Sequence, residues 1–132
     1  MGLVIDSSVI IAIERGKLDF TQFDLSQPTY ISSITVSELL VGAARSNNEE
    51  RRIRKVAFVE HIINTIAVIH FGIEEARIYA ELLNNLYQEN ITLGAHDVII
   101  SACAIANGHS VLTLNGRDFN KIKGLKVVTI KT

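Results

Sequence analysis

The chain has 132 residues (14.6 kDa), 48% hydrophobic and 20% charged, which suffices for a sizeable core and leads us to expect a single domain over residues 1–132. Its longest apolar stretches, such as Val9 to Ile13, fall far short of the ~20 residues a membrane span needs. Met1 to Asp6 lacks the basic opening of a signal peptide, and Asp6 stands where a myristoylation signal needs Ser or Thr. A lone cysteine, Cys103, excludes an internal disulfide framework and a cysteine-cluster zinc site, so a reducing, cytoplasmic setting is expected. The net charge of -1 and pI near 6.4 give no global basic footprint. The charge is unevenly spread: residues 109–132 carry five bases and one acid, and Arg117, Lys121, Lys123, Lys126 and Lys131 form a candidate basic patch beside the plainer reading of a solvated tail.

Leu3-Val4-Ile5 opens as a short buried strand, and Ser7-Ser8 before Val9 to Ile13 predicts a capped helix ending near Gly16. The polar connector Leu25-Ser26-Gln27-Pro28 precedes a second strand, Thr29 to Ser32. Thr35-x-x-Glu38 has the form of a capping box starting the next helix. Residues 49–63 predict a surface helix whose Arg51-Arg52-Ile53-Arg54-Lys55 run, beside Glu49-Glu50, is better explained by salt bridges than by an RNA clamp. Ile66 to Ile69 predicts a third strand. Ala76, Tyr79, Ala80, Leu83 and Tyr87 recur at helical spacing, with the tyrosines read as core or subunit contacts. Ala95 to Asn107 is apolar on nearly every side, which predicts a helix buried at the centre and stopped by Gly108. Ser110 to Thr113 is a fourth strand, Asn115 to Lys121 a helical turn, and Lys126 to Thr129 a fifth strand. Short apolar strands alternating with helices define an α/β class: a three-layer α/β/α sandwich with a central, mainly parallel sheet of roughly five strands.

Ligands in such sheets bind beyond the carboxyl ends of the strands, where this sequence places carboxylates. Asp6 ends the first strand, Glu38 follows the second, Asp97 lies in the first turn of the buried helix, and Asp118 follows the fourth strand. Helix N-termini favour acids as caps, and each of the four has that plainer reading. It is weakest for Asp97, the one charged group of an apolar helix, and for Asp6, which has no Lys or Arg near it in sequence. Two like charges ~4 Å apart repel by about 4 kcal/mol at an effective dielectric of 20, so converging acids call for a divalent cation. Oxygen donors favour Mg²⁺ or Mn²⁺, which points to metal-assisted attack on a phosphoryl group. His61, His70 and His109 have no partner at metal-ligand spacing; His96 adjoins Asp97 but is expected on another side of the helix, and Cys103 reads as a small core residue.

Leu3-Val4-Ile5-Asp6-Ser7-Ser8-Val9, Ser33-Ile34-Thr35-Val36-Ser37-Glu38-Leu39 with Gly42, Gly94-Ala95-His96-Asp97 through Gly108, and Leu112-Thr113-Leu114-Asn115 with Arg117-Asp118-Phe119 together resemble the PIN-domain ribonucleases, specifically the VapC-type toxins of bacterial toxin-antitoxin pairs. The resemblance covers essentially the whole chain. It implies a homodimer that cleaves RNA, such as tRNA or ribosomal RNA loops, with Mg²⁺ or Mn²⁺, leaves 5′-phosphate and 3′-hydroxyl ends, and is held by a cognate antitoxin. It implies that Asp6 and Asp97 hold the metal and that Glu38 completes the catalytic set. Many relatives have an acid where this chain has Asn115, and Asp118 is the nearest substitute. Ser7 and Thr113 are implied hydrogen-bond donors to the site or to substrate, and Arg117 and the lysines after it would steer the RNA backbone. Two other classes remain open: a non-catalytic PIN-like module that binds RNA or protein, and a receiver-type phosphoacceptor, which Ser7-Ser8 after Asp6 and His70-Phe71-Gly72 after the third strand disfavour.

Overall fold

A computed structural model describes residues 1–22 and 26–130, so Leu25 of the polar connector and Lys131 of the basic tail lie outside the described residues. The elements are β1 (Leu3–Ile5), α1 (Ser7–Glu14), β2 (Thr29–Ser32), α2 (Ser33–Ala44), α3 (Glu49–Thr65), β3 (Ala67–Ile69), α4 (Ile73–Gln88), α5 (Ala95–Ala106), β4 (Ser110–Thr113), α6 (Gly116–Phe119) and β5 (Val127–Thr129). The strands form one sheet in the order β3-β2-β1-β4-β5, with every neighbouring pair parallel. Among the described residues no helix is long and apolar enough to cross a membrane.

Side chains of the central strands alternate between two cores, as the two-residue period of a strand requires. Leu3 and Ile5 of β1 and Leu112 of β4 pack with Val9 and Ile10 of α1 and Ile62 of α3. Val4 and Val111 point the other way, to Ile100 and Ala104 of α5 and Phe119 of α6. The all-round apolar character of α5 follows from its position between the sheet and another helix. Ile100 and Ala104 meet the strands, while Val98 and Ala102 pack against Leu82 and Leu86 of α4. Gly108 stops α5 as expected: at φ +74° it adopts the left-handed conformation that closes a helix, and His109 N donates to Ala104 O at 2.8 Å.

Several boundaries differ from the sequence expectation for local reasons. No capping box forms between Thr35 and Glu38, because α2 starts two residues earlier; Ser32, the last residue of β2, caps it by accepting a hydrogen bond from Ile34 N at 3.2 Å. Thr35 is fully buried and its hydroxyl has no hydrogen-bond partner among the described residues. Helix α3 runs to Thr65 and Ile66 closes it through Ile66 N to Ile62 O, which delays β3 to Ala67. Lys126 precedes β5 but its carbonyl already accepts from Val111 N. His109 is a packing residue, stacked on Tyr30 with its Nδ1 accepting from Gly2 N, and burial lowers its pKa.

Because Ile100 is the side chain of α5 that anchors the helix to the sheet, Ile100→Ala is expected to cost about 2–5 kcal/mol in urea unfolding, whereas Ile53→Ala on the exposed face of α3 stays within about 0.5 kcal/mol.

Candidate active site

In the observed strand order the connections from β1 and β4 leave toward opposite edges of the sheet, which opens a crevice at their carboxyl ends. Asp6 sits there, at the N-cap position of α1, yet its side chain makes no capping bond. The residue is 6% exposed, and its carboxylate turns to β4 instead, accepting from the Thr113 hydroxyl at 2.9 Å and the Ser8 hydroxyl at 2.7 Å. Both hydroxyls are themselves held, since Leu114 N donates to Ser8 Oγ and Asn115 N to Thr113 Oγ1. No cation pairs with Asp6 among the described residues. A buried carboxylate is thus oriented by neutral donors with its charge left uncompensated.

Asp97 enters from the first turn of α5 and is partly exposed. Its pKa is raised to about 6, first by burial and then by the charges of Asp6, Asp118 and Glu38; His96 acts in the opposite sense. Four acids distant in sequence therefore share one electrostatic neighbourhood. Glu38 reaches it from α2, which packs against α5. Its Oε2 is 3.0 Å from His96 Nδ1, and its Oε1 is buried without a partner among the described residues. The sequence alone puts His96 on another side of the helix from the acids; the α2–α5 packing brings it to Glu38 instead.

The remaining sequence candidates are placed differently. Ser7 makes no side-chain hydrogen bond among the described residues, and the hydroxyl on Asp6 belongs to its neighbour Ser8. Asn115 caps α6, its Oδ1 accepting from Arg117 N at 3.3 Å. Asp118 lies at the rim, 43% exposed in its side chain and 3.7 Å from Lys121 Nζ. Arg117 is exposed and unpaired among the described residues. Two of the basic residues expected to form a patch after residue 109 meet acids: Lys121 its near neighbour Asp118, and Lys123 Glu89 at the end of α4. Cys103 is buried beside Ser32, and burial raises its thiol pKa, as a core residue requires. Ser8 and His96 are the two site residues that sequence reasoning missed. Asp6-Ser7-Ser8 offers two hydroxyls, and only the turn from strand to helix selects one; the approach of His96 depends on a contact between helices more than fifty residues apart.

The donor set suits a hard divalent cation. It consists of carboxylate and hydroxyl oxygens, one buried acid lacks a counter-charge, and the burial and mutual repulsion that raise the Asp97 pKa would be relieved by a cation. Among the described residues no three His, Cys, Asp or Glu side chains are already grouped as a metal site.

The family model for the PIN domain matches residues 3–125. Ribonuclease VapC1 of Rickettsia felis is 48% identical over the whole chain, which covers 98% of that protein. The tRNA(fMet)-specific endonuclease VapC of Salmonella typhimurium is 32% identical over 74% of this chain and 71% of its own. The solved structure of DNA-bound VapBC from Salmonella typhimurium superposes with a TM-score of 0.88 at 27% identity, over 98% of both chains. The chain belongs to the PIN-domain family and, within it, to the VapC ribonucleases.

The raised pKa of Asp97 has a stability consequence whose sign is set by proton linkage. The folded protein binds a proton more tightly than the unfolded chain, so stability from this group is greatest below about pH 4 and falls as pH rises through about 6. After allowance for solvent screening at a partly exposed site, Asp97→Asn should stabilise the metal-free protein at pH 7.5 by ~1 kcal/mol, roughly 3–6 °C in a melt, and the gain should vanish near pH 4. Lower melting of the variant at pH 7.5 would show that the carboxylate is held favourably rather than repelled.

Proposed function

We propose that this protein is a divalent-cation-dependent endoribonuclease, the toxin of a toxin-antitoxin pair, which hydrolyses RNA phosphodiesters at the Asp6, Glu38 and Asp97 cluster. The observation that carries the reading is the Asp6 carboxylate, buried, oriented by Ser8 and Thr113 and without a counter-charge, in the electrostatic company of three further acids. Membership of the VapC ribonucleases supports it.

Asp6 and Asp97 are the residues to hold Mg²⁺ or Mn²⁺. When bound, the ion neutralises the acids, polarises the scissile phosphate and lowers the pKa of water. Ser8 and Thr113 fix the direction of the Asp6 carboxylate, the kind of outer support that tunes a metal ligand. His96 holds one oxygen of Glu38 and so fixes a carboxylate that would orient the attacking water. Water adds to phosphorus and the 3′-oxygen departs, leaving a 5′-phosphate and a 3′-hydroxyl. Asp118 adds charge at the rim, and Asn115, occupied as a helix cap, has no direct part. The tRNA-specific relative makes tRNA the first substrate to try, and the VapBC complexes make a protein antitoxin the expected partner, in the cytoplasm. A second copy of the chain is the expected cover for Ile73, Leu83 and Tyr87 on α4, which are 69%, 44% and 81% exposed.

The test is incubation of total cellular RNA with purified protein and Mg²⁺ or Mn²⁺, with EDTA, and with Asp97→Asn, mapping the ends formed. Discrete 5′-phosphate cuts should disappear with EDTA and fall at least about 100-fold with the substitution. Ser8→Ala should lower the rate by about tenfold through loss of carboxylate orientation. A 2′,3′-cyclic phosphate product, or cutting unaffected by EDTA, would overturn the mechanism.

A further inference from the structure

Among the described residues, three buried side-chain oxygens have no hydrogen-bond partner: Thr35 Oγ1, Glu38 Oε1 and Ser46 Oγ. Buried polar atoms are nearly always paired, so each such group calls for a physical account. Two of the three belong together. Thr35 and Glu38 are three residues apart in α2, which puts their Cβ atoms on one face of the helix and about 5–6 Å from each other.

That face looks at α5. Ser32, the cap of α2, has its hydroxyl 3.7 Å from Cys103 Sγ in the second half of α5, and Glu38 meets His96 in the first turn of α5 at 3.0 Å. Thr35 lies midway along the same stripe. The α5 residues at helical spacing between His96 and Cys103 are Ile99 and Ile100, so the facing helix offers the Thr35 hydroxyl no polar side chain. Nor is the hydroxyl spent on its own backbone. A threonine in a helix commonly bonds the carbonyl four residues back, which here is Ile31 O in β2, and that bond is not made. Valine has the same branched shape and would fill this fully buried position without an unpaired polar atom. Packing therefore explains the methyl group of Thr35 and leaves its hydroxyl unexplained. Glu38 poses the complementary question: its side chain is 26% exposed, yet Oε1 is turned inward, and only Oε2 is held, by His96.

We propose that Thr35 is a positioning residue for Glu38, acting through one buried water that accepts from the Thr35 hydroxyl and donates to Glu38 Oε1. No direct bond joins the two groups, and a pair of unpaired polar atoms at this separation is where a single buried water is held. His96 and Thr35 then grip the carboxylate by its two oxygens and fix its plane. Each carboxylate oxygen has two lone pairs, so Glu38 held in this way still accepts from the attacking water. The inference rests on the ribonuclease reading above and adds to it a fully buried residue that acts through Glu38 alone.

Two substitutions separate the hydroxyl from the methyl. Thr35→Val keeps the shape and should lower kcat about tenfold on the RNA that the wild type cuts, with KM unchanged. Thr35→Ser keeps the hydroxyl and should bring kcat back to within about twofold of wild type, although loss of a buried methyl lowers its melting temperature. A purely structural role predicts the reverse order, with the serine variant the worse enzyme. The second readout needs neither metal nor RNA. In EDTA, Thr35→Val should lower the melting temperature by about 3–5 °C beside an intact Glu38, because it strands Oε1, and should leave it unchanged or raise it in a Glu38→Ala background, where no carboxylate is stranded. Thr35→Val that cuts with the wild-type kcat, Thr35→Ser that does not recover, or a melting temperature that rises with Thr35→Val beside an intact Glu38 would each overturn the proposal. Wild type that cuts no RNA while the two melts differ as expected sinks the ribonuclease reading and leaves the link between Thr35 and Glu38 standing.

Discussion

Repulsion among carboxylates is the constraint around which this molecule is arranged. Asp6, Glu38, Asp97 and Asp118 come from four separate segments, and burial with mutual repulsion is strong enough to lift the Asp97 pKa to about 6. An unfolded chain would let them separate; the fold holds them together. What holds them is apolar. Asp6 follows a strand whose three residues are at most 2% exposed, and Asp97 starts a helix in which Val98, Ile100, Ala102, Cys103 and Ala104 are buried. The cores on either side of the sheet thus place the acids against their own electrostatic preference, as sites that handle cations and phosphates require.

The hydroxyl shell shows how that cost is kept local. A buried carboxylate with no hydrogen bonds would be several kcal/mol out of balance, and Ser8 and Thr113 offset much of that without neutralising the charge. A lysine or arginine in their place would hold Asp6 more firmly and remove its attraction for a divalent ion. The choice of neutral donors is therefore chemically specific. It separates this cluster from the ion pairs on α3 and α4, where acids and arginines three or four residues apart merely satisfy one another at the surface.

Most of the fold is legible in the sequence because its signals are local. Leu3-Val4-Ile5 and Ser110 to Thr113 are too short and too apolar to be anything but buried strands, and the stop at Gly108 follows from one residue's backbone freedom. Asp6 and Asp97 stand out in the sequence for a related reason: each is the one charge beside or within an apolar run, where its reading as a mere cap is weakest, while Glu38 is covered by the form of a capping box. Boundaries are less legible where two local devices compete, as when Ser32 caps α2 before Thr35 can. Illegible altogether are the contacts made by packing. Nothing in the neighbourhood of His96 announces Glu38, and nothing near Lys123 announces Glu89, because each pair is joined only once the helices are in place.

The two basic segments make the same point about function. By sequence, the tail after residue 109 has the cleaner excess of positive charge, while the α3 run sits beside its own acids. In the folded chain Asp118 and Glu89 meet two of the tail lysines, while Arg51 and Lys55 of α3 and Arg15 of α1 line one cavity with no ion-pair partner for any of the three among the described residues. Net charge along a chain measures what a tail could do if it were alone. What a surface does to a polyanion is decided by which cations the tertiary structure leaves unpaired and by what lies at the end of the groove they line. Here Arg15 and Lys55 share the wall of one cavity with Glu38, so two of the unpaired cations lie on the same surface as one of the acids.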